Sequence, residues 1–220
     1  MKLNKKKVLV IALAVCLIAT LSMGTLAWFT DNDSSVNDFY VTDSEQHDPE
    51  AIFSVEVREN VVGGTANAFD GYTFEHITPN QTIEKAPYVV NTGAYDQYVR
   101  ATVTISDYAA FVTALGEDYR MENVFQNINA DWEFDKKVVN TDDTVSYVFY
   151  LDHVLTADTT SADNTAVLFT QVRIPFQLTK EHFSNTTLSD GFAISVFAEA
   201  IQSANTGNSA KAAFALIDNP

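Results

Sequence analysis

Along most of the chain, apolar and polar residues alternate with the two-residue period of a half-buried β-strand. Phe53, Val55 and Val57 interleave with Ser54, Glu56 and Arg58, and Val99, Ala101, Val103 and Ile105 interleave with Arg100, Thr102 and Thr104. The same reading predicts strands over residues 82–91, 97–106, 132–139, 144–151, 167–174 and 191–202. Gly63-Gly64, Asp70-Gly71, Ile77-Thr78-Pro79-Asn80 and Asn91-Thr92-Gly93 punctuate the loops between them. Asp107 is placed to cap a short helix that runs through Leu115 and stops at Gly116, and a second helical turn is expected within 119–126. An apolar run over 212–217 reads as a short helix or as a segment packed along the sheets. Many strands, few helices and loops rich in Asn, Asp, Gly and Thr predict an all-β fold. The expected form is an antiparallel β-sandwich of jelly-roll type with one or two short helices in its loops, preceded by a signal-peptide helix.

The first 27 residues break this pattern. Four lysines precede a fourteen-residue run, VLVIALAVCLIATL, followed by Ser22-Met23-Gly24 and by Thr25-Leu26-Ala27. This is the n-, h- and c-region order of a cleavable signal peptide, with cleavage expected between Ala27 and Trp28. A helix of fourteen residues is about 21 Å long at about 1.5 Å per residue, short of a hydrocarbon core of roughly 30 Å. Contact with a membrane is therefore expected only through the uncleaved signal peptide. Leu13-Ala14-Val15-Cys16 crudely resembles a lipobox, but Val15 stands where a small residue is required. Residues 28–50 are polar and acidic, with apolar spots at Trp28-Phe29 and Phe39-Tyr40-Val41, and read as an extended N-terminal arm. The expected organisation is a signal peptide over 1–27, the arm over 28–50 and one β-sandwich domain over 51–220.

Charge narrows the partners. The chain carries 13 basic and 29 acidic residues, and Lys2, Lys5, Lys6 and Lys7 all fall in the leader, so 9 basic residues remain against 29 acidic ones, a net charge of −20. This argues against nucleic acid and anionic membrane as partners, because binding phosphate needs a basic surface that releases counterions. Cys16, in the leader, is the one cysteine, which excludes disulfides, thiolate metal sites and a cysteine nucleophile in the remainder.

No residue pattern points to catalysis. His47, His76, His153 and His182 are scattered, and no His-Glu-x-x-His spacing places two imidazoles on one helix face. No Gly-x-Ser-x-Gly elbow accompanies the serines, and Gly63-Gly64 lacks the lysine and helix of a phosphate loop. Acidic clusters at Asp31-Asn32-Asp33, Asp142-Asp143 and between Asp158 and Asp163 offer oxygen atoms suited to calcium. None follows the twelve-residue calcium-loop pattern, and solvated acidic loops are the simpler reading. No cofactor is expected.

The leader junction Gly24-Thr25-Leu26-Ala27-Trp28-Phe29-Thr30-Asp31, followed by Asn37-Asp38-Phe39, resembles the signature of substrates of the SipW-type signal peptidase. The chain is similar here to the TasA, CalY and camelysin group of exported Gram-positive proteins. Thr78-Pro79-Asn80, the segment from Ile83 to Gly93, Tyr98-Val99-Arg100-Ala101 and the ISVFAEAIQ run from Ile194 extend the resemblance to about a third of the chain. Between Asp107 and Asp163 nothing matches, and Val41-Thr42 stands where the group often has a glycine. The resemblance implies a jelly-roll fold, export to the extracellular matrix or cell surface, and assembly into biofilm fibres in which the N-terminal arm of one subunit adds as a strand to the sheet of the next. It implies three partners: further copies of the chain, a SipW-like peptidase during export, and an accessory matrix protein. Camelysin-like proteins have also been classed as metallopeptidases.

Physical reasoning supports strand addition independently, since an arm with apolar residues and no partner of its own suits β-augmentation. Phe39 and Val41, two residues apart and so on one strand face, are the candidate donor-strand contacts. Head-to-tail addition does not close and yields a filament. A linker, or an edge strand within the same chain, is the competing reading of the arm. The competing functions are a monomeric surface binding module or adhesin, using loops such as 107–131, and a camelysin-like metallopeptidase.

Overall fold

The computed structural model describes residues 30–37, 54–67, 71–183, 191–204 and 206–218. The signal-peptide segment, the cleavage pair Ala27 and Trp28, and the candidate contacts Phe39 and Val41 lie outside the described residues. The chain folds as an antiparallel β-sandwich. In chain order its strands are β1 (Thr30–Asn37), β2 (Val55–Val61), β3 (Thr65–Ala66), β4 (Tyr72–Thr73), β5 (Thr82–Asn91) and β6 (Gln97–Ile105). They continue with β7 (Phe125–Gln126), β8 (Trp132–Val139), β9 (Val145–Leu151), β10 (Thr165–Val167), β11 (Gln171–Arg173) and β12 (Ile194–Gln202). One sheet runs β1-β12-β6-β9-β8, and the other is built around β5, with β2 on one side and β10, β11 and then β7 on the other. Strands β3 and β4 form a separate small hairpin.

Alternation along β6 sets the sandwich. Val99, Ala101, Val103 and Ile105 have no exposed surface, while Arg100, Thr102 and Thr104 are half-buried on the opposite face. The same period puts Val145, Tyr147 and Phe149 of β9 and Ile194, Val196 and Ala198 of β12 on the inner face, against Val55, Val57, Ile83, Val89 and Val172 of the second sheet. With no disulfide available to the domain, this continuous apolar layer is what stabilises it.

The strand expected over 167–174 is two short strands, and Pro87 gives the reason. Leu168 N donates to the Pro87 carbonyl at 2.9 Å, so that edge of β5 faces β10 and β11. Proline has no N–H to return, and the ladder breaks there. Leu168 and Phe169 then turn inward in succession, and Phe169 packs on Phe125 with ring centroids 4.8 Å apart.

Two helices flank the sheets. The first, α1 (Tyr108–Leu115), ends at Gly116, whose φ of 89° suits glycine. Asp107 is not its side-chain cap: it takes a left-handed conformation, φ 57°, and its carboxylate accepts a hydrogen bond from Ser106 Oγ at 2.6 Å. Burial pushes the Asp107 carboxyl up, the Ser106 hydrogen bond opposes this, and the charge of Asp143 adds to the rise. The helix is capped instead from the β8–β9 hairpin, where Asp143 Oδ1 accepts from Ala109 N at 2.8 Å and its carbonyl accepts from Tyr108 N at 2.9 Å. Asp143 is itself left-handed, φ 60°. Asp143→Ala is expected to lower stability by about 1–2 kcal/mol, through the lost cap and the strained φ, whereas Asp143→Asn stays within about 0.5 kcal/mol. Equal melting temperatures for the two variants would contradict this assignment.

The second helix, α2 (Ala210–Asp218), covers part of the outer face of the first sheet, where Ala213 and Phe214 are fully buried against Tyr98, Tyr150 and Ile201. Arg100 joins them: its guanidinium lies 4.4 Å from the Phe214 ring centroid and bonds Glu199 at 2.7 Å and Asp218 at 2.5 Å. Burial disfavours its charge, but these carboxylates outweigh the effect and hold Arg100 protonated above its ordinary range. Among the described residues no helix is long and apolar enough to cross a membrane.

Candidate functional site

The sites that the fold offers are the two ends of the first sheet. At one end β1 pairs with β12 over eight residues, from Thr30 opposite Ile201 to Asn37 opposite Ile194. The arm is therefore, over this stretch, an edge strand of its own chain, which was one of the two readings of the sequence. Its sequence is TDNDSSVN, with a single apolar residue. The register sets Asp31 opposite Ala200 and Asp33 opposite Ala198, both buried positions of β12. Polar residues thus stand opposite buried positions of β12, and with no alternation in its sequence the register of β1 is weakly specified.

At the other end, β8 pairs only with β9, among the described residues. Its ladder shifts between Phe134 and Lys136, the mark of a β-bulge. Phe134, Val138 and Val139 are exposed by 42, 37 and 55 %, and no other described strand carries so many exposed large apolar residues. Lys136 is exposed, while Lys137 Nζ sits 5.0 Å from the Tyr108 ring centroid and 4.5 Å from that of Tyr119. Beneath, burial pushes the phenols of Tyr119 and Tyr147 up, so both stay protonated and neutral.

A third feature lies inside the second sheet. Lys85 occupies an inward position of β5 and forms an ion pair with Glu59 of β2, with side chains 4 % and 0 % exposed. Burial pushes the Lys85 amine down, and the neighbouring Glu59 charge opposes the shift. Lys85 borders a cavity of about 40 Å³ with Phe74, Ile77, Ile83, Val172 and Phe192. That volume admits a water molecule or two and is far below the roughly 300 Å³ of a small-molecule pocket. Sequence alternation could have flagged Lys85, since it shares a face with Ile83, Pro87 and Val89.

The histidines lie apart. His76 is exposed, His153 Nδ1 is 2.7 Å from Asp152 Oδ1, and His182 Nδ1 is 3.0 Å from Thr179 Oγ1. His47 lies outside the described residues. Of the acidic clusters, Asp143 caps α1, and Asp158 accepts hydrogen bonds from Thr160 N and Oγ1 at 2.9 and 2.7 Å, which pulls its carboxyl down. Among the described residues no three His, Cys, Asp or Glu side chains gather as a metal site. The geometry defines an all-β sandwich in which, among the described residues, β1 and β8 are the end strands of the first sheet, a form suited to association through main-chain pairing. Compared with protein-family models, curated proteins and solved structures, the chain finds no match in any of the three.

Proposed function

We propose that this protein is a secreted structural subunit of extracellular matrix or surface fibres, in which the N-terminal arm connects one subunit to the next and no chemical step is catalysed. The observation that carries the reading is β1: an eight-residue strand at the end of a sheet, paired with β12, whose sequence holds a single apolar residue. A strand of this kind adds little core to its own sandwich and can pair with a neighbour's sheet as well as with its own. The leader supports export, and its likeness to SipW-type signals supports the matrix over other extracellular sites. A SipW-like peptidase during export and an accessory matrix protein are proposed partners on the same grounds.

Two expected outcomes follow from the leader and the charge. Secreted protein is expected to begin at Trp28, read by N-terminal sequencing or intact mass; a start at Cys16 with added lipid mass would support the lipoprotein instead. Purified mature protein is expected to form filaments visible by electron microscopy. Subunits near −20 repel one another, so assembly followed by light scattering is expected to speed up as salt is raised or pH lowered. A mature protein that sediments as a monomer in every condition would contradict the fibre reading and favour a surface binding module.

A further inference from the structure

Lys85 and Glu59 are a buried amine and a buried carboxylate in direct contact, and we infer that they join as an amide, an isopeptide bond that ties β5 to β2. In register Glu59 lies opposite Pro87 and Lys85 opposite Val61, so the two side chains reach each other diagonally on the inner face of the second sheet. The ladder between β2 and β5 runs over seven residue pairs and holds the two backbones in place. The side chains are 4 % and 0 % exposed, and Phe74, Ile83, Val172 and Phe192 border the same cavity as Lys85. The ion pair is the form that precedes the bond.

The pair itself holds the atoms and protons that the reaction needs. A proton passes from the Lys85 ammonium to the Glu59 carboxylate, which leaves a neutral amine and a neutral acid. Nζ then attacks Cδ, the C–N bond forms, one C–O bond breaks, and the hydroxyl leaves with a second amine proton as water. Charge is conserved, and no oxidant, reductant or further reactant enters. In water the ionised pair is favoured, because solvent stabilises both charges. Inside the sandwich that solvation is lost, and the amide removes both buried charges at once. Burial already pushes the Lys85 amine down, towards the neutral form that attacks, although the Glu59 charge opposes the shift. The cavity of about 40 Å³ beside Lys85 is large enough to receive the departing water. By holding the groups together the fold turns a bimolecular condensation into an intramolecular one. Glu59 and Lys85 stand 26 positions apart, so the bond closes a ring of chain in a domain that has no disulfide, and a link of this kind constrains the unfolded state. It forms within one subunit and does not require fibre assembly.

The test weighs tryptic peptides of the full-length mature protein, denatured after it has folded, by mass spectrometry. Trypsin cuts after Arg58 and Arg100 but not after an acylated lysine, so the amide is expected to yield one peptide, 59–100, lighter by one water than its sequence. Cleavage after Glu75, within the ring, is expected to leave the pieces on either side joined through Glu59 and Lys85. Lys85→Arg keeps the cation but removes the primary amine, and its digest is expected to give peptides 59–85 and 86–100 at full sequence mass. Wild-type peptides that carry their full sequence mass overturn the assignment. So does a 59–100 peptide, light by one water, that separates on cleavage after Glu75, since the water was then lost elsewhere. If Lys85→Arg fails to fold, the wild-type digest alone decides.

Discussion

Val103→Asp is expected to lower stability by more than about 4 kcal/mol, because it places a carboxylate with no partner at a position of zero exposure in the central strand of the first sheet. Domains of this size have about 5–15 kcal/mol to lose, so the variant melts about 10 °C or more below wild type, or does not fold. Thr102→Asp is the control. Thr102 lies on the outer face, opposite Phe197 and Val148, and is half-buried there, so the carboxylate keeps access to water and the loss is much smaller. Thermal unfolding of both variants decides the matter, and equal losses would mean that the register of β6 is wrong.

The second large effect concerns the buried ion pair. Lys85→Met leaves Glu59 in the interior without its cation, and Glu59→Gln leaves Lys85 without its anion; each is expected to cost about 3–5 kcal/mol. Replacing both, as Lys85→Met with Glu59→Leu, removes two buried charges at once and is expected to cost less than either single change. With Glu59→Leu measured alone as well, a double variant that loses the sum of the Lys85→Met and Glu59→Leu losses would show that the residues act independently, against the geometry. The depressed Lys85 amine fits this expectation, since burial already disfavours its charge and the Glu59 carboxylate opposes that effect.

Strand identity was legible wherever alternation was long and unbroken. The strands over 82–91, 97–105, 132–139 and 145–151 stand where period and turn residues place them. The helix that stops at Gly116 was legible too, while the apolar run over 212–217 left a helix and a packed segment open, and it is a helix. What alternation could not show was anything set by a distant partner. Asp107 has a good capping residue's chemistry, but its left-handed backbone turns it away and Asp143, from a hairpin 34 residues beyond Ala109, takes the role. Two-residue strands such as β7 are too short for any period to register.

The same limit applies to the buried amides. Asn91 read as part of a turn, yet its Nδ2 donates to the carbonyls of Tyr95 and Leu155 and its Oδ1 accepts from Gln97 Nε2 at 2.8 Å. Nothing local in the sequence announces those partners. For the candidate site, the arm was legible as an extended element, but its pairing with β12 was not, because TDNDSSVN has no alternation to read. The place of β8 at the end of its sheet, among the described residues, came only with the sheet order, since a strand's place in a sheet is a property of its neighbours.

The role of the arm is tested most directly by removing it. Mature protein and a variant lacking residues 28–48 are compared for filament formation by electron microscopy and light scattering, with a synthetic peptide of the arm added to each. The full-length protein is expected to form filaments. The truncated protein keeps β2 to β12, so it is expected to fold, remain monomeric and bind the peptide, which also arrests growth of full-length filaments. Filaments that form equally well without residues 28–48 would contradict the connecting role of the arm.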